Sequence, residues 1–151
     1  LPNEKQKTAA MMRAIDWVAT MQCKQGGWAA FDLNNDADWL NMIPYGDLKA
    51  MIDPNTADVT ARVLEMFGCC DLSINQHDFD RALDYLLKEQ EAEGCWFGRW
   101  GVNYIYGTSG ALCALASMAP SKRTSIQRGA AWLISCQNTD GGWGETCRSY
   151  N

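Results

Sequence analysis

Arg81-Ala82-x-x-Tyr85-Leu86-x-x-x-Gln90-x-x-x-Gly94-x-Trp96 decides the reading of this chain, because it occurs three times. Without a gap it superimposes on Arg13-Ala14-x-x-Trp17-Val18-x-x-x-Gln22-x-x-x-Gly26-x-Trp28. It superimposes equally on Arg128-Gly129-x-x-Trp132-Leu133-x-x-x-Gln137-x-x-x-Gly141-x-Trp143. Seven defined positions within sixteen residues recur, which chance does not produce. Internal self-similarity of this kind marks a repeat architecture. The Gln-to-Gln intervals are 68 and 47 residues, so the elements between repeats differ in length.

Each repeat reads as the end of a helix followed by a turn. Met11, Ile15, Val18 and Ala19 fall at i, i+4, i+7 and i+8, one apolar face. Phe79, Leu83, Leu86 and Leu87 do the same, and Ile126, Ala130, Leu133 and Ile134 do so less cleanly. Gly26, Gly94 and Gly141 then stop each helix or bend the chain after it. Two further helices are expected. Asp53-Pro54-Asn55-Thr56 is a start signal for the stripe Val59, Val63, Met66 and Phe67, which stops at Gly68. Thr108 or Ser109 caps a helix through Leu112, Leu115 and Ala116, closed by Pro120. No stretch reads as a strand. Residues 23–54 have no helical period yet hold Trp28, Phe31, Trp39, Ile43, Tyr45, Leu48 and Met51, too many large apolar groups for a disordered linker. They read as an ordered lining.

The 151 residues suit a single domain with a real core. A net charge of −5 argues against a nucleic-acid surface, which needs basic groups to replace phosphate counterions. With 47% apolar and 21% charged residues, the chain is not a disordered one. Seven Cys, an odd and modest number, with no Asn-x-Ser/Thr site and no signal peptide, read as a reducing compartment. The longest uncharged stretch, Gly101 to Ser121, is interrupted by Asn103, Gly107, Gly110 and Pro120 and does not read as a membrane span.

The repeated Gln and Trp read as structural. A Gln amide ties the open N–H and C=O groups of helix ends, and a Trp packs its face while its N–H finds a partner. Three copies of one constellation cannot share one active site, so Gln22, Trp28, Gln90, Trp96, Gln137 and Trp143 are assigned as staples between helices. Asp32, Asn34, Asp36 and Asp38 imitate a calcium loop, but Ala37 stands where Gly is needed and Ile43 where the bidentate Glu is needed. No metal site is expected. His77, the only His, precedes Asp78 at a helix start and reads as a surface or capping residue. Cys69-Cys70 are read as buried free thiols. Trp96-Phe97-Gly98-Arg99-Trp100-Gly101, followed by Asn103-Tyr104-Ile105-Tyr106-Gly107, is too Gly-rich for a core helix and too aromatic for an ordinary loop. Aromatic faces stabilise cations without attacking them, so such a wall suits carbocation chemistry. Plain core packing accounts for it equally well.

The triple repeat resembles the QW motif of triterpene cyclases. Gly26-Gly27-Trp28-Ala29-Ala30-Phe31-Asp32 resembles bacterial squalene–hopene cyclases, as does the run from Asp53-Pro54-Asn55-Thr56-Ala57-Asp58 through Arg62 to Glu65. So do the runs from Trp96 to Thr108 and from Asp140 to Tyr150. The resemblance covers essentially the whole chain. It implies an all-α fold, a partial (α/α) barrel (toroid) of helical hairpins stapled by three QW repeats. Residues 1–151 would be a fragment of one catalytic barrel. The family's acid motif, Asp-x-Asp-Asp, is not in the sequence, nor is a second barrel domain.

The resemblance implies roles for individual residues. Trp100 matches a Trp facing the reacting polyene. Phe31 and Tyr106 match lining positions. Asp58 and Arg62 match the support network of the proton-donating acid, where some relatives carry His at the second position. Tyr45 and Leu48, with Gly46 between them, match the constriction through which substrate enters. The implied reaction is intramolecular cyclisation of squalene to hopene or hopanol, with no cofactor and no metal. The implied setting is the cytoplasmic membrane surface of a bacterium, reached through parts of the protein outside this chain, with a homodimer of the full-length protein as a further expectation. Two alternatives stay open. One is another terpene cyclase, acting on oxidosqualene or a diterpenoid precursor. The other is a non-catalytic toroid that binds an apolar or sugar ligand. An Asp-x-Asp-Asp upstream of Leu1 in the parent gene would separate cyclase from binding module.

Overall fold

The computed structural model describes residues 4–43, 51–70 and 74–150. Five helices follow one another: α1 (Glu4–Thr20), α2 (Ala57–Cys69), α3 (Gln76–Lys88), α4 (Asn103–Met118) and α5 (Arg123–Ser135). Short 3-10 turns occupy Asp38–Met42 and Cys147–Tyr150. Among the described residues there is no strand, only isolated bridges between Trp28 and Thr56 and between Asn35 and Asp53.

The pattern of small residues explains which helices meet. α2 and α4 make the most extensive helix pair. Ala61, Ala111 and Ala114 are almost wholly buried, and Gly110 sits opposite the Ala61 methyl. Small side chains let the backbones approach, and Leu64, Leu115, Leu86 and Phe67 fill the remaining space. Trp28 and Trp96 are core residues, 2% and 0% exposed. Each ties to the α2–α4 pair by the same bond: Trp28 N donates to Thr60 Oγ1 and Trp96 N to Thr108 Oγ1, both at 2.9 Å.

The repeats form one hydrogen-bond pattern. Gln22 Nε2 donates to its own turn at Gly26 O (2.7 Å) and to Asp78 O (2.8 Å) in the first turn of α3. Arg81 of the next repeat reaches back to Gln22 Oε1, Cys23 O and Lys24 O. Gln90 repeats this with Gly94 O and Ser125 O, and Arg128 returns to Gln90 Oε1, Glu91 O and Ala92 O. The Trp indoles close the other side, onto Val18 O, Leu86 O and Leu133 O. The indoles satisfy carbonyls of the last helical turns, and Arg81 and Arg128 satisfy carbonyls of the turns that follow, while the Gln amides tie each turn to the first turn of the next helix. Gly26 and Gly94 both have φ +101°, and a Cβ there would also collide with the carbonyl of Arg81 or Arg128. Among the described residues, the Gln and Trp side chains of the third repeat make local bonds, Gln137 to Gly141 O and Trp143 to Leu133 O, and none to a following helix.

Three expectations need correction. α4 begins at Asn103, not at Thr108 or Ser109. Thr108 is spent on Trp96, and Gly107 lies inside the helix because a Cβ would strike the Trp96 carbonyl. Cys69 and Cys70 are exposed, because the covered face of α2 ends at Phe67; the buried thiols are Cys23 and Cys95 in the turns. Trp28 does not line anything open but fills the core. His77 lies where expected, in the first turn of α3, its backbone N–H taken by the Asn75 cap.

Candidate active site

Two loops meet at the amino end of α2. The first follows the Gly26 turn. Asp53, 6% exposed, receives the backbone N–H groups of Ala30 (3.3 Å), Phe31 (2.5 Å) and Asp32 (2.7 Å) on its carboxylate. Its own N–H donates to Asn35 O (2.9 Å). Three amides on one anion make a rigid cradle, since hydrogen bonds to charged acceptors are about twice as strong as neutral ones. The cradle leaves the Phe31 side chain 72% exposed.

The second loop follows the Gly94 turn and carries Trp100. Trp100 N donates to Asp58 Oδ2 at 3.0 Å, and Asp58 lies in the first turn of α2, 2% exposed. A carboxylate there also meets the positive end of the helix dipole. The Trp100 ring is half exposed and stands edge-to-face to Phe31, with centroids 5.5 Å apart and planes at 89°. The Arg99 guanidinium lies 5.7 Å from the Trp100 ring centroid and donates to Ile52 O. The result is an open aromatic surface seated on two buried carboxylates.

Arg62, one turn beyond Asp58, pairs with Glu65 at 2.8 Å and stands 5.9 Å from the ring centroid of Tyr106. The hydrogen bond to Glu65 holds its guanidinium pKa above the usual value, so it stays a cation. The structure therefore brings Asp58 to Trp100, and Arg62 to Glu65 and Tyr106. Asp58 Oδ1 is buried without a hydrogen-bond partner, as are Asn55 Nδ2 and Thr56 Oγ1 beside it in sequence. Tyr45 and Leu48 lie outside the described residues.

Sequence reasoning treated Asp53 only as part of a helix start and missed its cradle. The start signal Asp53–Thr56 does not say which residue caps the helix; the structure puts Thr56 in N-cap position and leaves the Asp53 carboxylate for the loop amides. Arg99 was likewise not singled out. Among the described residues, no group of three or more His, Cys, Asp or Glu is placed to hold a metal ion. No described helix is long and apolar enough to cross a membrane. A cavity of about 300 Å3 beside the first turn is lined by Lys24, Arg81, Asp84, Lys88 and Glu89 among others, a charged lining unsuited to a hydrocarbon.

Residues 1–151 match the family model of the squalene–hopene cyclase C-terminal domain along their whole length. The chain belongs to this family of terpene cyclases. It is 53% identical to a dammaradiene synthase from Dryopteris crassirhizoma over an alignment 172 positions long, which takes in 100% of this chain and 25% of that protein. It is 54% identical to a squalene–hopene cyclase from Zymomonas mobilis over 139 residues, 91% of this chain and 21% of that protein. It is 43% identical to an enfumafungin synthase from Hormonema carpetanum over 155 residues, 93% of this chain and 12% of that protein. The chain thus spans no more than a quarter of the length of these relatives. All three carry the names of cyclases or synthases.

Proposed function

We propose that residues 1–151 form one sector of the catalytic (α/α) barrel of a squalene–hopene-type cyclase. The observation that carries this reading is the Phe31–Trp100 pair, two exposed rings in edge-to-face contact, each held through its backbone by a buried carboxylate. Cyclisation of a polyene needs surfaces that stabilise cations without capturing them. Ring faces do so through their quadrupole, and burial of the two carboxylates behind the backbone keeps nucleophilic oxygens off the cation.

In this reading an Asp from elsewhere in the protein protonates a terminal alkene of squalene. Asp58 and Arg62 serve that acid, Asp58 with the lone pairs left on Oδ1 and Arg62 as a fixed cation that favours the ionised form of the acid and so strengthens it as a donor. Trp100, Phe31 and Tyr106 face the cations as rings close. Tyr45 and Leu48 sit at the entry from a membrane surface. No cofactor takes part.

A second reading, a triterpene cyclase with a different product, is favoured by the names of the dammaradiene and enfumafungin synthases among the relatives, and an oxidised substrate is a variant of it. A chimera separates the two. Residues 1–151 replace the matching segment of the Zymomonas mobilis cyclase, and the purified protein receives squalene or oxidosqualene. Preference for squalene with pentacyclic hydrocarbon products supports the first reading. Preference for oxidosqualene, or tetracyclic products from squalene, supports the second.

A further inference from the structure

We propose that Glu145 is a positioning residue for the aromatic wall, acting through the amino end of α4. α4 has no cap of its own: the residue in N-cap position is Val102, whose side chain accepts nothing. The N–H groups of Tyr104 and Ile105 donate instead to Glu145 Oε2, at 2.9 and 3.0 Å, from a residue about forty positions later. Glu145 follows Trp143 by two residues, and that turn is pinned to the end of α5 by Trp143 Nε1 on Leu133 O and Gln137 Nε2 on Gly141 O. A negative charge at a helix amino end is favoured by the dipole as well as by the hydrogen bonds.

The same segment makes a second attachment one residue away. Ser149 Oγ contacts Asn103 Oδ1 at 2.5 Å, and Asn103, fully buried, donates from Nδ2 to Gly98 O at 2.7 Å. Gly98 N donates back to Asn103 O at 3.0 Å. Gly98 opens the loop that carries Trp100, whose N–H rests on Asp58. Hydrogen bonds from the segment after the third repeat therefore reach residues 103–105 and Gly98, and the two backbone steps from Gly98 lead to Trp100 and its bond to Asp58. It does so although the third repeat contributes no ring to the Phe31–Trp100 pair. Tyr104, next to the capped amide, also stands edge-to-face to Phe97 at 5.5 Å, so a shift of the helix start would disturb rings on that side too.

This inference rests on the proposed function for its effect on cyclisation, but not for its effect on the loop. The test uses the chimera with Glu145→Ala, Glu145→Gln and Glu145→Asp. Amide hydrogen exchange is followed at residues 104 and 105 and at residues 98–101, together with product distribution at a temperature well below unfolding. For Glu145→Ala the expected result is exchange on the order of tenfold faster at Tyr104 and Ile105 and also at Trp100, with a larger share of incompletely cyclised products. Glu145→Gln should fall between, and Glu145→Asp should recover most of the protection. Faster exchange confined to Tyr104 and Ile105, with loop and products unchanged, would make Glu145 a local cap and overturn the proposal. Unchanged exchange everywhere would overturn it as well. If the parent chimera is folded but makes no cyclic product, the functional reading fails, and coupled exchange between residues 104–105 and 98–101 still decides the positioning role.

Discussion

Replacing Trp100 separates the two jobs that its position combines. Its backbone N–H, not its ring, holds the loop on Asp58, so Trp100→Ala leaves that 3.0 Å bond in place. The ring is half exposed and touches Phe31 and the Arg99 guanidinium. Truncating a buried Trp costs about 3–5 kcal/mol, and a ring with half its surface already in solvent should cost about half of that, ~2 kcal/mol. Against cations, the loss of one π face in a dry site is worth about 1–2 kcal/mol, or roughly 5–30-fold in rate. The chimera carrying Trp100→Ala should therefore fold, with a modestly lower Tm, and turn over squalene more slowly with more prematurely quenched products. Trp100→Phe, which keeps a π face, should lie between the mutant and the parent. Gas chromatography of the products at saturating squalene measures both effects. Parental turnover and product pattern in Trp100→Ala would refute the reasoning that this ring holds cations.

The staples predict a gradient. Gln90 makes three bonds and Gln137 one, so at about 1 kcal/mol each, Gln90→Ala should cost ~2–4 kcal/mol and Gln137→Ala ~1 kcal/mol or less; equal Tm losses would contradict this. Arg62→Gln should raise the donor acid's pKa by removing a nearby cation, which weakens the acid: the alkaline limb of the pH–rate profile moves up and the maximum falls. An unchanged profile would show that the Arg62 charge is spent on Glu65. Residues 1–151 alone leave Met11, Met12 and Trp17 on α1, and Ile134 and Trp143 at the other end, largely in solvent. Isolated, they should show helical circular dichroism without a cooperative melt, associate, and convert no squalene, because the sequence has no Asp-x-Asp-Asp. A monomer with a cooperative transition would contradict the first part, and any hopene formed the second.

The parts of the structure that were legible are those set by local chemistry. The Asp53-to-Thr56 signal places the start of α2 within a residue, and the apolar stripes identify all five helices. The Gln, Gly and Trp of each repeat sit at helix ends and turns, as the chemistry of an amide, a residue without Cβ and an indole predicts. What the sequence hid depends on partners distant along the chain. The start of α4 was misplaced because its cap, Glu145, comes from another repeat, and because Gly107 serves a contact with Trp96 rather than a helix break. The Asp53 cradle joins residues more than twenty positions apart. Cys69 and Cys70 sit at a helix end where the stripe gives no direction, and they turned out exposed.

The most direct test of the central claim is whether these residues can serve as the wall of a working cyclase. The chimera with residues 1–151 in the Zymomonas mobilis enzyme, shown to be folded by a cooperative melt, is incubated with squalene in detergent and its products are identified by mass spectrometry. Cyclic triterpenes are the expected products, lost when Asp58→Ala removes the support of Trp100. A folded chimera that returns only squalene, or one whose cyclisation is indifferent to Asp58→Ala, would contradict it.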